Sequence, residues 1–475
     1  MNTSHLHEAI AAYGANVKSK LSNAAISGAP EDQIRAPLEV LVRSFGSYFD
    51  YQNLALVGET TLAHLNTRPD YGVSHGAVLI GFIEVKAPGK GSDPKRFSDP
   101  HDKSQWERLK ALPNLIYTDG QEFSLWRNGE RIGKPARFES DIATAGVKLS
   151  LPSELAPLIQ DFLTWQPEPP PNAKKLAETS ARLCRLLREE VLDQIDSGQD
   201  NLTRLASDWR SLLFPEADNR QFADGYAQAV TFGLLIARAF DIELTDGIDL
   251  AALKLKKSNS LIGTALALLT ESNEIQTALQ TSLGALRRVL GVVNWHLVSK
   301  DRPEAWLNFY EDFLDVYDKD LKKKTGSYYT PPEVVEAMVR LVDEALRGPL
   351  FERANGLASP DVTIADPAVG TGTFLLGVMR RIASTIAEDQ GEGAVRAGLS
   401  DAMKRLYGFE LQFGPFAVAQ LRILAEWQSL APTNTDKSAA LNLFITDTLG
   451  NPYIEEEKLP PVSYTHLRAH ETRED

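Results

Sequence analysis

Apolar positions recur along this chain at two different periods, and the change of period divides it. Residues 6–22 and the stretch from Glu31 to Val42 space small and apolar side chains as helices do. Val78-Leu79-Ile80-Gly81-Phe82-Ile83 is instead an unbroken apolar run, ending in Glu84-Val85-Lys86. Such a run reads as a buried strand. Asn114 to Thr118 reads as another strand, entering an Asp119-Gly120 turn, with Phe123-Ser124-Leu125-Trp126-Arg127 as its hairpin partner.

Gln166-Pro167-Glu168-Pro169-Pro170-Pro171-Asn172 then interrupts the pattern, because consecutive prolines stiffen an extended linker and cannot be helix interior. Beyond it the period is helical. Ala173 to Ile195 is charged and amphipathic, and Phe222, Tyr226, Ala229, Gly233, Ile236 and Phe240 share one helical face. Gly225 and Gly233 in that helix predict a closely packed neighbour. Further helices are expected near 260–295 and 304–317.

From about residue 321 strands and helices alternate. Thr330 is expected to cap a helix opening at Pro331, with Glu333 in its first turn. Val362-Thr363-Ile364 is a β-branched run stopping at Asp366, and Thr373 to Ile382 is helical. A helix near 391–405 precedes a second strand, Leu406-Tyr407-Gly408-Phe409-Glu410. Leu443-Phe444-Ile445-Thr446-Asp447 is a third. Three strands each ending in an acid match ligand binding at the carboxyl ends of a parallel sheet.

Composition changes this picture little. The 475 residues call for two or three domains, and 43% hydrophobic with 24% charged residues is ordinary for a soluble globular chain. The single cysteine, Cys184, rules out a disulfide framework or a cysteine-based metal cluster. A signal peptide and a long apolar run are both missing, so a cytoplasmic protein without a membrane partner is expected. A net charge of −14 does not advertise a nucleic-acid binder, although an acidic enzyme can keep a basic cleft.

The chemistry lies at two places. Glu84 and Lys86, two apart on one strand, share a face, with Asp70 upstream in Arg68-Pro69-Asp70-Tyr71. Two carboxylates can hold Mg²⁺, and the ion and a lysine can activate water and stabilise charge on a phosphate. An isolated Glu-x-Lys is also what a surface ion pair looks like. The whole set, Pro-Asp, a hydrophobic strand and Glu-Val-Lys, resembles the PD-(D/E)xK nuclease motif. That resemblance implies catalytic Asp70, Glu84 and Lys86, with Gln105 of Lys103-Ser104-Gln105-Trp106 as the accessory glutamine. Leu109 stands where many relatives have a tyrosine. Metal ligands would be Asp70 and Glu84, joined by Glu31 from a helix, with Glu39 as its rival.

The second place is Ala365-Asp366-Pro367-Ala368-Val369-Gly370-Thr371-Gly372-Thr373-Phe374-Leu375. Gly370 and Gly372 allow a tight turn and a close ligand approach, and the turn is expected to present backbone N–H groups. It is not a P-loop, lacking Gly-Lys-Ser/Thr, and Leu375 replaces the third glycine of a dinucleotide fingerprint. The string resembles the S-adenosylmethionine motif of N6-adenine DNA methyltransferases. Gly326-Ser327-Tyr328-Tyr329-Thr330-Pro331 resembles the motif that precedes it there. The resemblance implies a cofactor site of Tyr329, Thr330, Asp366, Pro367, Gly370, Gly372, Phe374, Glu410 and Asp447.

The family's Asn-Pro-Pro-Tyr/Phe motif does not appear. Asn451-Pro452-Tyr453 follows Asp447 too soon and reads as a turn, and residues 463–475 read as a non-native tail. The fold expected is a multidomain α/β chain. It has a PD-(D/E)xK-like α/β domain at 1–165, a linker at 166–172, a helical connector at 173–320 and a partial Rossmann-like methyltransferase domain at 321–462. These resemblances imply the front part of a single-chain restriction–modification enzyme acting on double-stranded DNA with S-adenosylmethionine and Mg²⁺. A modification-only methyltransferase with an inactive nuclease-like domain and a non-catalytic S-adenosylmethionine sensor are its rivals.

Overall fold

The computed structural model of the chain describes residues 4–22, 29–58, 69–76, 78–212, 217–257, 261–270, 272–299, 308–318, 330–430, 442–446 and 448. They form two compact units, one of residues 1–168 with 279–292, the other of 169–278 with 293–475.

The first unit is built on a six-stranded sheet in chain order: β1 (Leu54–Gly58), β2 (Tyr71–His75), β3 (Val78–Val85), β4 (Leu115–Thr118), β5 (Glu122–Arg127) and β6 (Glu130–Arg137). Only β3 and β4 run parallel; the other neighbours are antiparallel. A parallel pair needs a crossover, and this one carries α3 (Pro100–Leu109), opened by Asp99, whose carboxylate accepts from the N–H groups of His101 and Asp102. Helices α1 (Ser4–Leu21), α2 (Pro30–Tyr48) and α4 (Leu155–Leu163) pack their apolar residues with Val73, Ile83, Val85, Ile116 and Leu125 in one core. Alternation along β3 sends Glu84 to the opposite face, with Tyr117 of β4 as its register partner.

The Asp119-Gly120 turn is as expected, with Gly120 at φ +81°. Asp119 also organises the loop after Lys86: its carboxylate accepts from Gln121 and Glu122 on one oxygen and from Gly89 and Gly91 on the other. The helix Gln280–Leu290, expected within the connector, packs with this unit instead. A Cβ on its Gly284 would meet Leu79 of β3 at 3.2 Å, and Arg288 lies over the Trp165 ring at 5.9 Å.

The second unit joins helices to a small sheet. Among the helices, α5 is Ala173–Asp196, α6 Asn219–Ala239 and α7 Phe309–Tyr317. A capping box between Asp218 and Gln221 starts α6. One apolar face was expected of α6, yet it is buried nearly all round, Ala223, Ala227, Val230, Leu234 and Leu235 included. A helix surrounded by neighbours has no solvent side for polar residues to mark, so its predicted stripe understates its burial. Leu266 packs closely on Gly233, as the glycine predicted. Arg188 of α5 is held by Asp224, Asp318 and Glu189 at 3.2, 3.0 and 2.7 Å. Cys184 is a free, buried thiol that burial pushes up to about 12.

The sheet is β7 (Ile364–Asp366), β8 (Leu406–Glu410) and β9 (Asn442–Ile445), all parallel and in chain order. Around it lie α8 (Pro332–Arg347), α9 (Thr373–Gln390), α10 (Glu392–Met403) and α11 (Phe413–Leu430). Thr330 does not cap α8, since the residue at the cap is Pro331, with no side-chain bond to the helix. A Pro331-Pro332 pair fixes that entry by its own φ restriction, without a hydroxyl. Inward, α8 sets Val335 and Val339 against Gly377 of α9; outward, it exposes Val334, Met338, Leu341 and Val342.

One buried acid ties α8 to α9. Asp343 accepts from the Leu357 N–H at 2.8 Å and pairs with Arg347 and Arg381 at 3.0 and 2.7 Å. Burial opposes its charge, but the Leu357 N–H and the two arginines hold its carboxyl below the usual range. Its stabilisation is therefore present above the ordinary carboxylate range and lost as pH falls through the depressed value. Asp343→Ala is expected to cost about 3 kcal/mol, the low end for breaking a buried pair, because the arginines are partly exposed. Urea denaturation followed at the α8 and α9 amides measures this.

Candidate functional site

Asp70 precedes β2 and is half-buried. One carboxylate oxygen accepts from the Val85 N–H at 2.7 Å, and the other takes the Arg35 guanidinium of α2. Burial raises its pKa, and Arg35, the Val85 N–H and Lys86 only partly reverse this. Glu84 is 3% exposed. Its Oε1 lies 2.9 Å from Lys86 Nζ, while Oε2 has no hydrogen-bond partner among the described residues. Burial first and the Asp70 charge second push it up to about 8, against the pull of Lys86 and of the Asp70 backbone N–H.

Lys86 follows β3 directly, its N–H bonded to Thr118 at 2.7 Å. Its Nζ is ringed by Glu84, by Asp102 at 3.1 Å and by the Gln105 side-chain amide oxygen. Burial works against its charge, but Glu84 and Asp102 outweigh burial and hold it above its ordinary range. Asp102 in turn takes Lys90, and the two lysines keep its carboxyl low although burial opposes them. The structure thus brings together Asp70, Glu84, Lys86 and Gln105.

Glu31 stands in the first turn of α2, close enough to act on Asp70 and Arg35, whereas its rival Glu39 pairs with Arg43 at 2.7 Å. No group of three or more His, Cys, Asp or Glu among the described residues is gathered to hold a metal, so Glu31 is near but not joined to the pair. Two carboxylates with waters are nonetheless a sufficient set for Mg²⁺, which keeps several waters when protein-bound. A buried Glu84 oxygen lacking a partner fits such an ion.

Sequence reasoning passed over Arg35, Asp102 and Tyr117. Asp102 was legible, being three before Gln105 and so on the same helical face. Arg35 and Tyr117 were not, since only the folded register places them.

At the second place, the β7 end and the turn are held from within. Asp366 accepts from the Ala368 N–H at 3.1 Å, and burial raises its pKa against that bond. The Glu410 carboxylate, at the end of β8, accepts from Gly370 at 3.0 Å and Gln412 at 2.8 Å. Val369 and Gly372 bond to the carbonyls of Phe409 and Val369. The expected row of N–H groups facing a ligand is therefore largely spent inside the protein at 368–370 and 372. What the turn offers is space: Gly370 sits at φ +54° and a Cβ there would meet nothing nearer than Ala368 O at 4.0 Å. Gly372, at φ +84°, backs onto Ala419 of α11 at 3.3 Å, so it serves packing.

Arg422 of α11, buried, grips the same turn through the Thr371 carbonyl, the Thr371 hydroxyl and the Thr373 hydroxyl at 2.8, 2.8 and 3.1 Å. Pro367 is exposed and Phe374 half-buried. Thr448 donates to Pro367 O at 3.0 Å, which brings the chain after β9 to the turn. Thr330 is half-buried at the entry to α8. Tyr329 and Asp447 lie outside the described residues, as do Asn451-Pro452-Tyr453 and the tail from 463.

With this geometry in place, residues 304–460 match the family of N-6 DNA methylases. No curated protein matches the chain. Among solved structures, it is similar to a DrdV–DNA complex seen by cryoEM, at 20% identity and TM-score 0.40, over 93% of this chain and 40% of that one. It is also similar to the ATP-dependent Type ISP restriction–modification enzyme LlaBIII bound to DNA, at 18% identity and TM-score 0.40, over 60% of this chain and 19% of that one. A nuclease-deletion mutant of the Type ISP enzyme LlaGI with a DNA substrate mimic matches at 15% identity and TM-score 0.39, over 64% of this chain and 24% of that one. The chain thus spans less than half the length of each. No helix among the described residues is long and apolar enough to cross a membrane.

Proposed function

We propose that the chain is part of a single-polypeptide restriction–modification enzyme. On this reading the first unit is a PD-(D/E)xK-type nuclease that cuts DNA with Mg²⁺, and the second binds S-adenosylmethionine for methylation of adenine N6. The observation that carries it is the open Gly370 turn between the acid-ended strands β7 and β8, inside the stretch that matches N-6 DNA methylases. S-adenosylmethionine supplies an activated methyl group when bound. Gly370 gives its adenosine close passage. Glu410 keeps lone pairs for ribose hydroxyls beyond the two N–H bonds it accepts. Asp366 and Phe374 border the same turn, and Tyr329, Thr330 and Asp447 are proposed to complete it.

In the first unit Asp70 and Glu84 would hold the cation, which lowers the pKa of water and draws charge from a phosphate. Lys86, kept protonated by three acceptors, is placed to neutralise charge developing on the phosphate. Supercoiled plasmid incubated with the protein is expected to be cut in Mg²⁺ and left intact in EDTA. Intact plasmid in both sinks the nuclease assignment.

One observation favours a second reading, a methyltransferase with an inactive nuclease-like unit: Arg35 occupies an Asp70 oxygen that a cation would need. If that reading holds, S-adenosylmethionine still binds while plasmid survives.

A further inference from the structure

The face of the first sheet under α3 holds a second buried polar atom without a partner. Besides Glu84 Oε2, the Tyr117 hydroxyl has no hydrogen bond among the described residues, although the residue is 0% exposed. The two come from adjacent strands. Glu84 and Tyr117 are register partners across the parallel β3–β4 pair, so their side chains leave the sheet on the same side. The ring is fixed by Trp106, edge-on at 5.7 Å, and Phe97, tilted at 6.1 Å. A tyrosine hydroxyl is a hydrogen-bond donor, and this one lies on the same sheet face as Glu84. A buried hydroxyl left unpaired is costly, and in a folded protein such a group calls for a ligand or ordered water as its partner.

We propose that Tyr117 is a positioning residue of the metal centre, its hydroxyl donating to a water held by the divalent cation on Asp70 and Glu84. The inference rests on the reading of the first unit as a Mg²⁺-dependent nuclease. The role requires no chemistry at the ring, only a hydrogen bond that fixes the water in front of the phosphate. Because the hydroxyl has no partner among the described residues, its removal has nothing there to unpair.

The test is Tyr117→Phe in the full chain, with Mn²⁺ as the probe and Glu84→Gln as the reference. Calorimetry is expected to show Mn²⁺ bound about fivefold more weakly by Tyr117→Phe, the worth of one hydrogen bond. The melting temperature of the metal-free protein is expected to be unchanged or higher. Plasmid cleavage is expected to lose kcat with KM for DNA unchanged. Wild-type Mn²⁺ affinity in Tyr117→Phe, together with lost binding in Glu84→Gln, overturns this proposal and leaves the metal centre standing. A lower metal-free melting temperature overturns it too, by showing that the hydroxyl serves the fold. If the wild-type protein binds no Mn²⁺, the metal centre itself fails and the role of Tyr117 with it.

Discussion

Glu84→Gln is expected to abolish Mg²⁺-dependent DNA cleavage and, in the same molecule, to stabilise the metal-free protein at neutral pH. Both follow from one side chain placed where a carboxylate is poorly tolerated. Glu84 is buried, its Oε2 has no partner among the described residues, and its pKa is pushed up to about 8 from an ordinary 4.5. Between those values the folded chain holds a proton that the unfolded chain releases. Stability therefore falls as pH rises from about 4.5 to about 8, by up to about 1.4 kcal/mol per pH unit, and is level outside that window. Glutamine has the same shape and no charge to bury, so the slope should disappear. Hydrogen exchange of the β3 and β4 amides in EDTA reads this locally. A retained slope shows that Glu84 is not the titrating group. Cleavage surviving in Glu84→Gln removes Glu84 from the chemistry. If both effects appear, this acid trades stability for function, as preorganised sites commonly do.

The second large effect concerns the glycine turn. Gly370→Val is expected to eliminate measurable S-adenosylmethionine binding by calorimetry while the unit stays folded. Position 370 sits at φ +54°, a region that is a marked outlier for a β-branched residue. The new side chain meets no protein atom nearer than 4.0 Å at its Cβ, so it would fill the empty cradle rather than collide with the core. Strain in the turn also loosens the Gly370 N–H from Glu410, the acid assigned to the ribose. Gly372→Ala is the contrasting change: it presses on Ala419 of α11 at 3.3 Å and is expected to act on stability first. Unchanged binding in Gly370→Val would remove the turn from the cofactor site.

The sequence made the local elements legible wherever one period ruled. The run Val78 to Val85 is a strand, 391–405 encloses the helix Glu392–Met403, and Leu406 to Glu410 is β8 residue for residue. Glu84, Lys86 and Gln105 were legible as a set because strand alternation and a known motif both point to them. Non-local register was not. Tyr117 meets Glu84 only once β4 lies parallel to β3, and Arg35 reaches Asp70 from a helix ahead of the sheet. Nor was the inner bonding of the glycine turn, because Glu410, forty residues on, takes the N–H that the sequence had assigned to a ligand. At α8, a threonine in the cap pattern was overruled by the proline pair beside it.

The helix Gln280–Leu290 has a consequence for how the protein is made. Its unit begins at the amino terminus and cannot be complete when residue 168 leaves the ribosome, since the last piece of its wall is encoded more than a hundred codons later. At ordinary translation speed that is a wait of roughly ten seconds. Through it, Leu79 of β3 lacks Gly284 and Trp165 lacks Arg288. The same interleaving makes residues 169–278 a loop tied at both ends. A single protease cut there leaves two polypeptides, both still contributing to the first unit.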